Sequence, residues 1–116
     1  MGIKIVDKKI TKEELKELAK EFYETLIKGV VDIEKEIIAL GGEYHMDANI
    51  VLIDKGSKQK DIWGFNIHLD KPKDSGQWIE YTALINIRPA QENSSMEIND
   101  PEIKEKIRRI LSRLIE

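Results

Sequence analysis

The sequence contains no cysteine. A disulfide framework, a thiolate zinc site and a cysteine nucleophile are therefore excluded. It also lacks an apolar run of about 20 residues, the length that a membrane-spanning helix needs. The start of the chain, Met1 to Val6, contains no apolar segment like the centre of a secretory signal peptide. We therefore expect a cytoplasmic protein with no membrane partner.

Several motifs that mark catalytic or nucleotide-binding loops are also missing. The chain has no His-Glu-x-x-His zinc motif, no Gly-x-Ser-x-Gly nucleophile elbow and no Gly-x-x-x-x-Gly-Lys-Ser/Thr phosphate loop. The segment Gly56-Ser57-Lys58 is therefore predicted to be a simple turn rather than a cradle for an anion. No cofactor is predicted.

The composition is that of an ordinary globular domain. Of the 116 residues, 35% are charged and 41% are hydrophobic, which predicts a single domain spanning residues 1–116. The net charge is −3, and an acidic chain argues against binding to nucleic acid, which requires a basic face. Charge carried largely by lysine and glutamate, with much isoleucine, is common in proteins from heat-loving organisms.

The first part of the chain contains a clear helix start. Ile3 to Val6 is a short β-branched run that predicts a strand. Thr11 and Glu14 have the spacing of a capping box, in which each side chain bonds the other residue's backbone N–H. Apolar residues then recur at helical spacing up to Gly29, a natural helix stop. We therefore predict a long N-terminal helix, whose core face is Leu15, Leu18, Ala19, Phe22 and Leu26.

The middle of the chain is rich in Val and Ile. Residues 30–40 fit either two strands around a turn at Glu34 to Glu36 or one helix, because both periods match the apolar positions. The Val and Ile density and the following Gly41-Gly42 favour two strands. Residues 47–54 are apolar on both faces over Ile50 to Ile53, which predicts a central strand.

Two alternating segments follow. Ile62 to Leu69 places Trp63, Phe65 and Ile67 on one face, and Trp78 to Arg88 is predicted as the neighbouring strand. If both apolar faces contact one core, the numbers of opposed residues must sum to an even number. The predicted pairs are Phe65 with Ala83, Ile67 with Tyr81, and His68 with Glu80.

The chain closes with a second helix start. Asp100 can cap a helix whose first position is Pro101, and its apolar face is Ile103, Ile107, Ile110, Leu111 and Leu114. Adjacent strands without intervening helices favour an antiparallel sheet. The predicted fold is α+β: about four to six antiparallel strands, with the long N-terminal helix and the C-terminal helix packed on one face.

The sheet face away from those helices is the predicted location of a site. An imidazole near carboxylates can transfer protons or bind a divalent metal, and an arginine beside amides can hold a carboxylate or phosphate. A solvated polar face without any function explains the same pattern. The ligand-binding candidates are Asn66, His68, Glu80, Asn86, Arg88, His45 and Asp47.

Three functional hypotheses follow from this face. The first is binding of a polar or small anionic ligand, or of a partner, on the sheet. The second is a small, metal-assisted hydrolase that uses His45, Asp47 and His68. The third is a structural or homo-oligomerisation module, in which Trp78 contacts a neighbouring subunit.

Two longer patterns carry a family resemblance. They are Gly56-Ser57-x-Gln59-x-Asp61-x-Trp63-Gly64-x-Asn66 and Asn86-Ile87-Arg88-Pro89-x-Gln91-x-Asn93. With these patterns the chain resembles, over nearly its whole length, a family of short bacterial and archaeal proteins that forms a domain of unknown function. The resemblance implies a stand-alone domain and brings no activity with it.

Overall fold

Five strands form one antiparallel sheet in the computed structural model, which describes residues 2–116. The strands are β1 (Lys4–Val6), β2 (Leu26–Asp32), β3 (Ile37–Leu40), β4 (Ile62–His68) and β5 (Ile79–Glu80). The helices are α1 (Lys12–Ala19), α2 (His45–Asp54) and α3 (Pro101–Leu114). The order across the sheet is β1-β3-β2-β4-β5. The predicted α+β class and antiparallel sheet are confirmed.

The two faces of the sheet are covered by different helices. The face that carries Trp63, Phe65 and Ile67 packs against α1 and α3, and these three side chains are almost completely buried, as predicted. The opposite face packs against α2, through a smaller cluster of Val30, Ala39, Ala48, Leu52 and Ile62. The sheet face that was predicted to carry no helix is therefore partly covered by α2, a helix that the prediction did not contain.

The prediction of a long N-terminal helix is wrong. Its start is correct, because Thr11 and Glu14 form the capping box at 3.1 Å in both directions. The helix ends at Ala19, and the chain turns back through Glu24, whose φ is +63°. The β-branched residues that follow form β2 in the middle of the sheet. Gly29 is not a helix stop: a Cβ there would lie 2.6 Å from the Phe65 ring on the adjacent strand.

The region 30–40 forms two strands, as the composition favoured. β2 and β3 pair antiparallel around a tight turn, in which the Glu36 N–H donates to Asp32 O at 2.9 Å. The buried Asp32 carboxylate accepts from the N–H groups of Glu34 and Lys35 and from the Ser57 hydroxyl. Gly56-Ser57-Lys58 is thus a turn tied to this hairpin, in agreement with the simpler prediction.

The predicted central strand at 47–54 is the helix α2. A short run that is apolar on all sides fits a buried strand and a helix equally well, and periodicity cannot separate them. One side of the helix buries Ala48 and Leu52 completely against the sheet. Asn49 joins the turn before β4, because its amide exchanges two hydrogen bonds with Gln59 at 2.9 and 2.8 Å.

Only a short part of the predicted strand Trp78 to Arg88 is a strand in the structure, namely β5. Its observed pairs are Asn66 with Glu80 and Ile67 with Ile79, so the parity was correct but the register is shifted by two residues. After Tyr81 the chain leaves the sheet and forms short 3-10 turns at Leu84–Asn86 and Pro89–Gln91. The final helix begins as predicted, with the Asp100 side chain accepting from the Glu102 N–H at 2.8 Å.

Candidate functional site

A row of polar side chains lies on the α2 face of the sheet, beyond the N-terminal end of α2. Three of them are directly opposed across neighbouring strands: Lys28 on β2, Asn66 on β4 and Glu80 on β5. His68 ends β4, and His45 comes from the first turn of α2. We name this group the polar band; its members are Lys28, His45, Asn66, His68 and Glu80.

Hydrogen bonds connect four members of the polar band, and two of them meet at Glu80. His45 Nε2 lies 2.9 Å from Phe65 O and 2.8 Å from Asn66 Oδ1. The Asn66 amide then donates to Glu80 Oε1 at 3.1 Å, and His68 Nε2 lies 2.9 Å from the same oxygen. His45, Asn66, His68 and Glu80 are therefore brought together, as the sequence predicted.

The contacts of His45 fix which ring nitrogen carries its proton. Both neighbours of Nε2 are acceptors, since Phe65 O is a carbonyl and the Asn66 amide nitrogen is committed to Glu80. Nε2 therefore carries hydrogen, and in the neutral ring Nδ1 keeps a free lone pair. Among residues 2–116, Nδ1 has no hydrogen-bond partner.

Burial sets the charge state of this histidine. Burial lowers the pKa of His45 below its ordinary value, and the nearby positive charge of Lys28 lowers it further. At neutral pH the ring is therefore uncharged. At the other end of the band, the hydrogen bond from His68 lowers the pKa of Glu80 and keeps it ionised.

Lys28 supplies a cation that no carboxylate neutralises. Its ammonium lies 4.9 Å from the centre of the Tyr23 ring and 5.5 Å from that of the Tyr44 ring. Tyr23 is itself fixed by a 2.7 Å hydrogen bond to Glu43 O. Within residues 2–116, Lys28 forms no ion pair. The sequence-based reasoning missed this residue because it placed Lys28 at the end of a helix.

Asp47 does not join the band. Its carboxylate accepts from the Tyr44 N–H at 3.1 Å, which satisfies the backbone at the start of α2. The hydrolase hypothesis needed His45, Asp47 and His68 together, and this geometry does not favour it. Among residues 2–116, no three His, Cys, Asp or Glu side chains come together as a metal site.

Asn86 has a structural role. It is completely buried, its Oδ1 accepts from the Gly64 N–H at 2.8 Å, and its amide donates to Gly64 O at 3.1 Å and Met96 O at 3.2 Å. The segment that carries Asn86 packs closely against Gly64. Any larger residue at position 64 would clash with it, because a Cβ there would lie 2.5 Å from Ala83 Cβ. Asn86 therefore joins the irregular segment after β5 to the sheet and is not available to a ligand.

Arg88 also serves the fold. Its guanidinium stacks 4.4 Å from the centre of the Trp63 ring, Nε donates to Ile85 O at 2.9 Å, and an Nη donates to Ile62 O. A cation with these partners is part of the packing around β4 rather than a free anion receptor. Trp78 is buried in the main core and lies under the ammonium of Lys73, so a loop covers it.

The comparisons with known proteins place the chain in a family. A family described as protein of unknown function, DUF5674, matches residues 4–114. The chain belongs to this family. The DUF5674 match runs from the first residue of β1 to the last of α3, and it confirms the resemblance to a domain of unknown function. No curated protein and no solved structure matches the chain.

One further finding concerns membranes. In the part of the chain that the structure describes, no helix combines the length and the apolar character needed to cross a bilayer. The DUF5674 description assigns no activity to the family.

Proposed function

We propose that this domain binds a small organic anion that also carries a hydroxyl group, such as a hydroxy acid, at the polar band. The observation that carries the proposal is a hydrogen-bond acceptor and a cation in the same polar band, close enough for the charge of Lys28 to lower the pKa of His45. One is the Nδ1 acceptor of a neutral His45, and the other is the unpaired ammonium of Lys28.

The two groups would bind different parts of one ligand. The Lys28 ammonium can bind a carboxylate, and the flanking tyrosine rings hold the side chain in place before the ligand arrives. Nδ1 of His45 can only accept, so it selects a ligand that donates an O–H. The hydrogen bonds from Nε2 to Phe65 and Asn66 keep the ring oriented for that contact.

Glu80 limits the charge of the ligand. Its carboxylate already accepts from Asn66 and His68, and it remains negative at neutral pH. A ligand with a second anionic group extending along the band is repelled by this carboxylate. We therefore expect monoanions to bind better than extended dianions.

The test is an NMR titration of the protein with glycolate, using acetate as the matched probe that lacks the hydroxyl. We expect saturable shifts of the backbone resonances of Asn66 and Glu80, with glycolate binding about tenfold more tightly than acetate, the value of one added hydrogen bond. Lys28→Gln should abolish the shifts, and Lys58→Gln, at an exposed lysine that lines no part of the band, should leave them unchanged.

Two results would count against the proposal. Equal binding of glycolate and acetate would mean that Nδ1 of His45 contributes nothing. Unchanged glycolate affinity in Lys28→Gln would mean that any binding is located elsewhere on the surface.

A further inference from the structure

Three of the four exposed side chains of the helix α2 are apolar, and the fourth is Asp54 at its last position. Met46, Ile50 and Ile53 are about half exposed, at 49%, 52% and 38%. The adjacent 3-10 turn Leu84–Asn86 contacts α2 and adds Leu84, and Ile87 follows the turn directly; these two side chains are 71% and 43% exposed. We name these five side chains the apolar ridge.

This arrangement is unusual for a helix that faces water. A surface helix normally carries polar residues on its outer side, whereas a helix that is apolar all round is covered on both sides. The orientation of α2 is firmly set, because Ala48 and Leu52 are fully buried and the amides of Asn49 and Gln59 are paired. The ridge is therefore a fixed feature of the surface that lacks a covering element.

We propose that a second copy of this chain covers the apolar ridge, with the two α2 helices packed antiparallel about a two-fold axis beside Ile50. The apolar positions follow each other at intervals of four and three residues, the spacing of a helix–helix seam. In a two-fold arrangement whose axis passes beside Ile50, between residues 49 and 50, Met46 lies opposite the partner's Ile53, and Ile50 lies within one residue of the partner's Ile50. Every exposed apolar side chain of α2 then has an apolar partner.

The charges at the two ends of α2 favour the antiparallel direction. Exposed Glu43 precedes the helix, and the other end is net basic, since exposed Lys55 and Lys58 follow the exposed Asp54. Antiparallel packing places Glu43 near the partner's Lys55 twice, whereas parallel packing brings like charges together. The interaction between the two helix dipoles also favours the antiparallel arrangement.

A stable dimer needs to bury only a limited share of the surface of each subunit. A stable interface of standard size buries about 800 Å² per partner, roughly one eighth of the 6517 Å² surface of this chain. Leu84 and Ile87 extend the apolar surface beyond the helix itself, so that the seam is wider than a single row of side chains. The ridge does not include the polar band, and this inference does not depend on the proposed ligand.

Sedimentation velocity over a range of protein concentrations tests the inference. We expect a dimer for the wild type and a monomer for Ile50→Glu. The matched control is Phe22→Glu, which removes an equally exposed apolar side chain (50% against 52%) after α1 and should remain dimeric. A thermal melt of Ile50→Glu, expected to match that of the monomeric wild type at low concentration, shows that the variant is folded.

Charge reversal tests the direction of packing. Glu43→Lys and Lys55→Glu should each weaken dimerisation about tenfold or less, and the double variant Glu43→Lys/Lys55→Glu should recover most of the loss. A wild type that stays monomeric at all concentrations overturns the inference, as does a dimer that Ile50→Glu leaves intact. Failure of the double variant to recover overturns the antiparallel arrangement.

Discussion

Asn86 is the residue whose role changed most between sequence and structure. Its amide group makes three hydrogen bonds to backbone atoms inside the protein. Asn86→Ala leaves these groups buried without partners, and we expect a loss of about 2–4 kcal/mol in the free energy of unfolding. Urea denaturation measures this loss.

The control for Asn86→Ala is an exposed amide. Gln77→Ala removes a side chain on the surface loop before Trp78 and should change the stability by less than about 0.5 kcal/mol. An equally small effect of Asn86→Ala would contradict the structural role and return Asn86 to the list of ligand-binding candidates.

His45 predicts a pH dependence of stability. Its pKa is lowered in the folded state, mainly by burial, so the unfolded chain takes up a proton first as the pH falls. Stability should therefore decrease below about pH 6.5, with a slope of at most about 1.4 kcal/mol per pH unit from this one proton. Denaturation at pH 5.5 and 7.5 should show a smaller difference in His45→Gln than in the wild type.

The contribution of Glu80 to the pH dependence must be distinguished from that of His45. The pKa of Glu80 is lowered, so its own contribution is lost only under more acidic conditions than this window. An identical pH dependence in the wild type and in His45→Gln would contradict the buried, neutral state of His45.

At the residue scale, strand alternation was enough to predict which polar side chains of β4 and β5 lie together. His68 and Asn66 lie on one face of β4 because alternate residues share a face, and parity placed Glu80 beside them despite a register error of two. The same logic fails for Asn86 and Arg88, which leave the strand pattern altogether. Their partners are backbone groups that only the folded chain brings near.

At the scale of elements, one turn residue offers a clear prediction. Glu92 follows the 3-10 turn Pro89–Gln91 with φ of +59°, a conformation that is strained for any residue with a Cβ. Glu92→Gly should therefore stabilise the protein by about 0.5–1 kcal/mol, since glycine adopts this conformation without strain. The midpoint of urea denaturation reports the change.

Replacement of glutamate by glycine should have the opposite effect on stability inside a helix. Glu102→Gly, in the first turn of α3, should destabilise the protein by up to about 1 kcal/mol because glycine loses more backbone freedom there. Destabilisation by Glu92→Gly would show that residue 92 does not adopt the left-handed conformation.

The errors at this scale have one physical origin. Apolar spacing beyond Ala19 fitted a helix, yet β2 forms because Val30 and Val31 fill the centre of the sheet between β3 and β4. For α2, an apolar run on all sides favoured a buried strand. The observed helix keeps that apolar character on its exposed side, which is the basis of the dimer inference.

At the scale of the whole molecule, the two proposed surfaces should act independently. The ridge lies along the outer side of α2, and the polar band lies mostly beyond its N-terminal end, with only His45 in the first turn of the helix. The monomeric variant Ile50→Glu should therefore bind glycolate within about twofold of the wild-type affinity. NMR titrations of both proteins decide this, and a loss beyond tenfold would mean that the partner subunit completes the site.

The fold class was predictable from the sequence, although several of its elements were not. The antiparallel sheet followed from the run of adjacent strand patterns, and the caps at Thr11 and Asp100 located two helix starts correctly. The placement of α2 on the second face was not predictable, because it depends on a sheet register that the sequence does not encode locally.

We infer an acceptor at Nδ1 of His45, close enough to Lys28 for the ammonium charge to lower the pKa of the ring. Long-range ¹H–¹⁵N correlation of the imidazole groups at neutral pH tests it most directly. We predict a neutral His45 ring with the proton on Nε2, and a shift of the Nδ1 resonance when glycolate is added. A ring protonated at Nδ1, or an Nδ1 resonance that glycolate leaves unchanged at saturation, would contradict the claim.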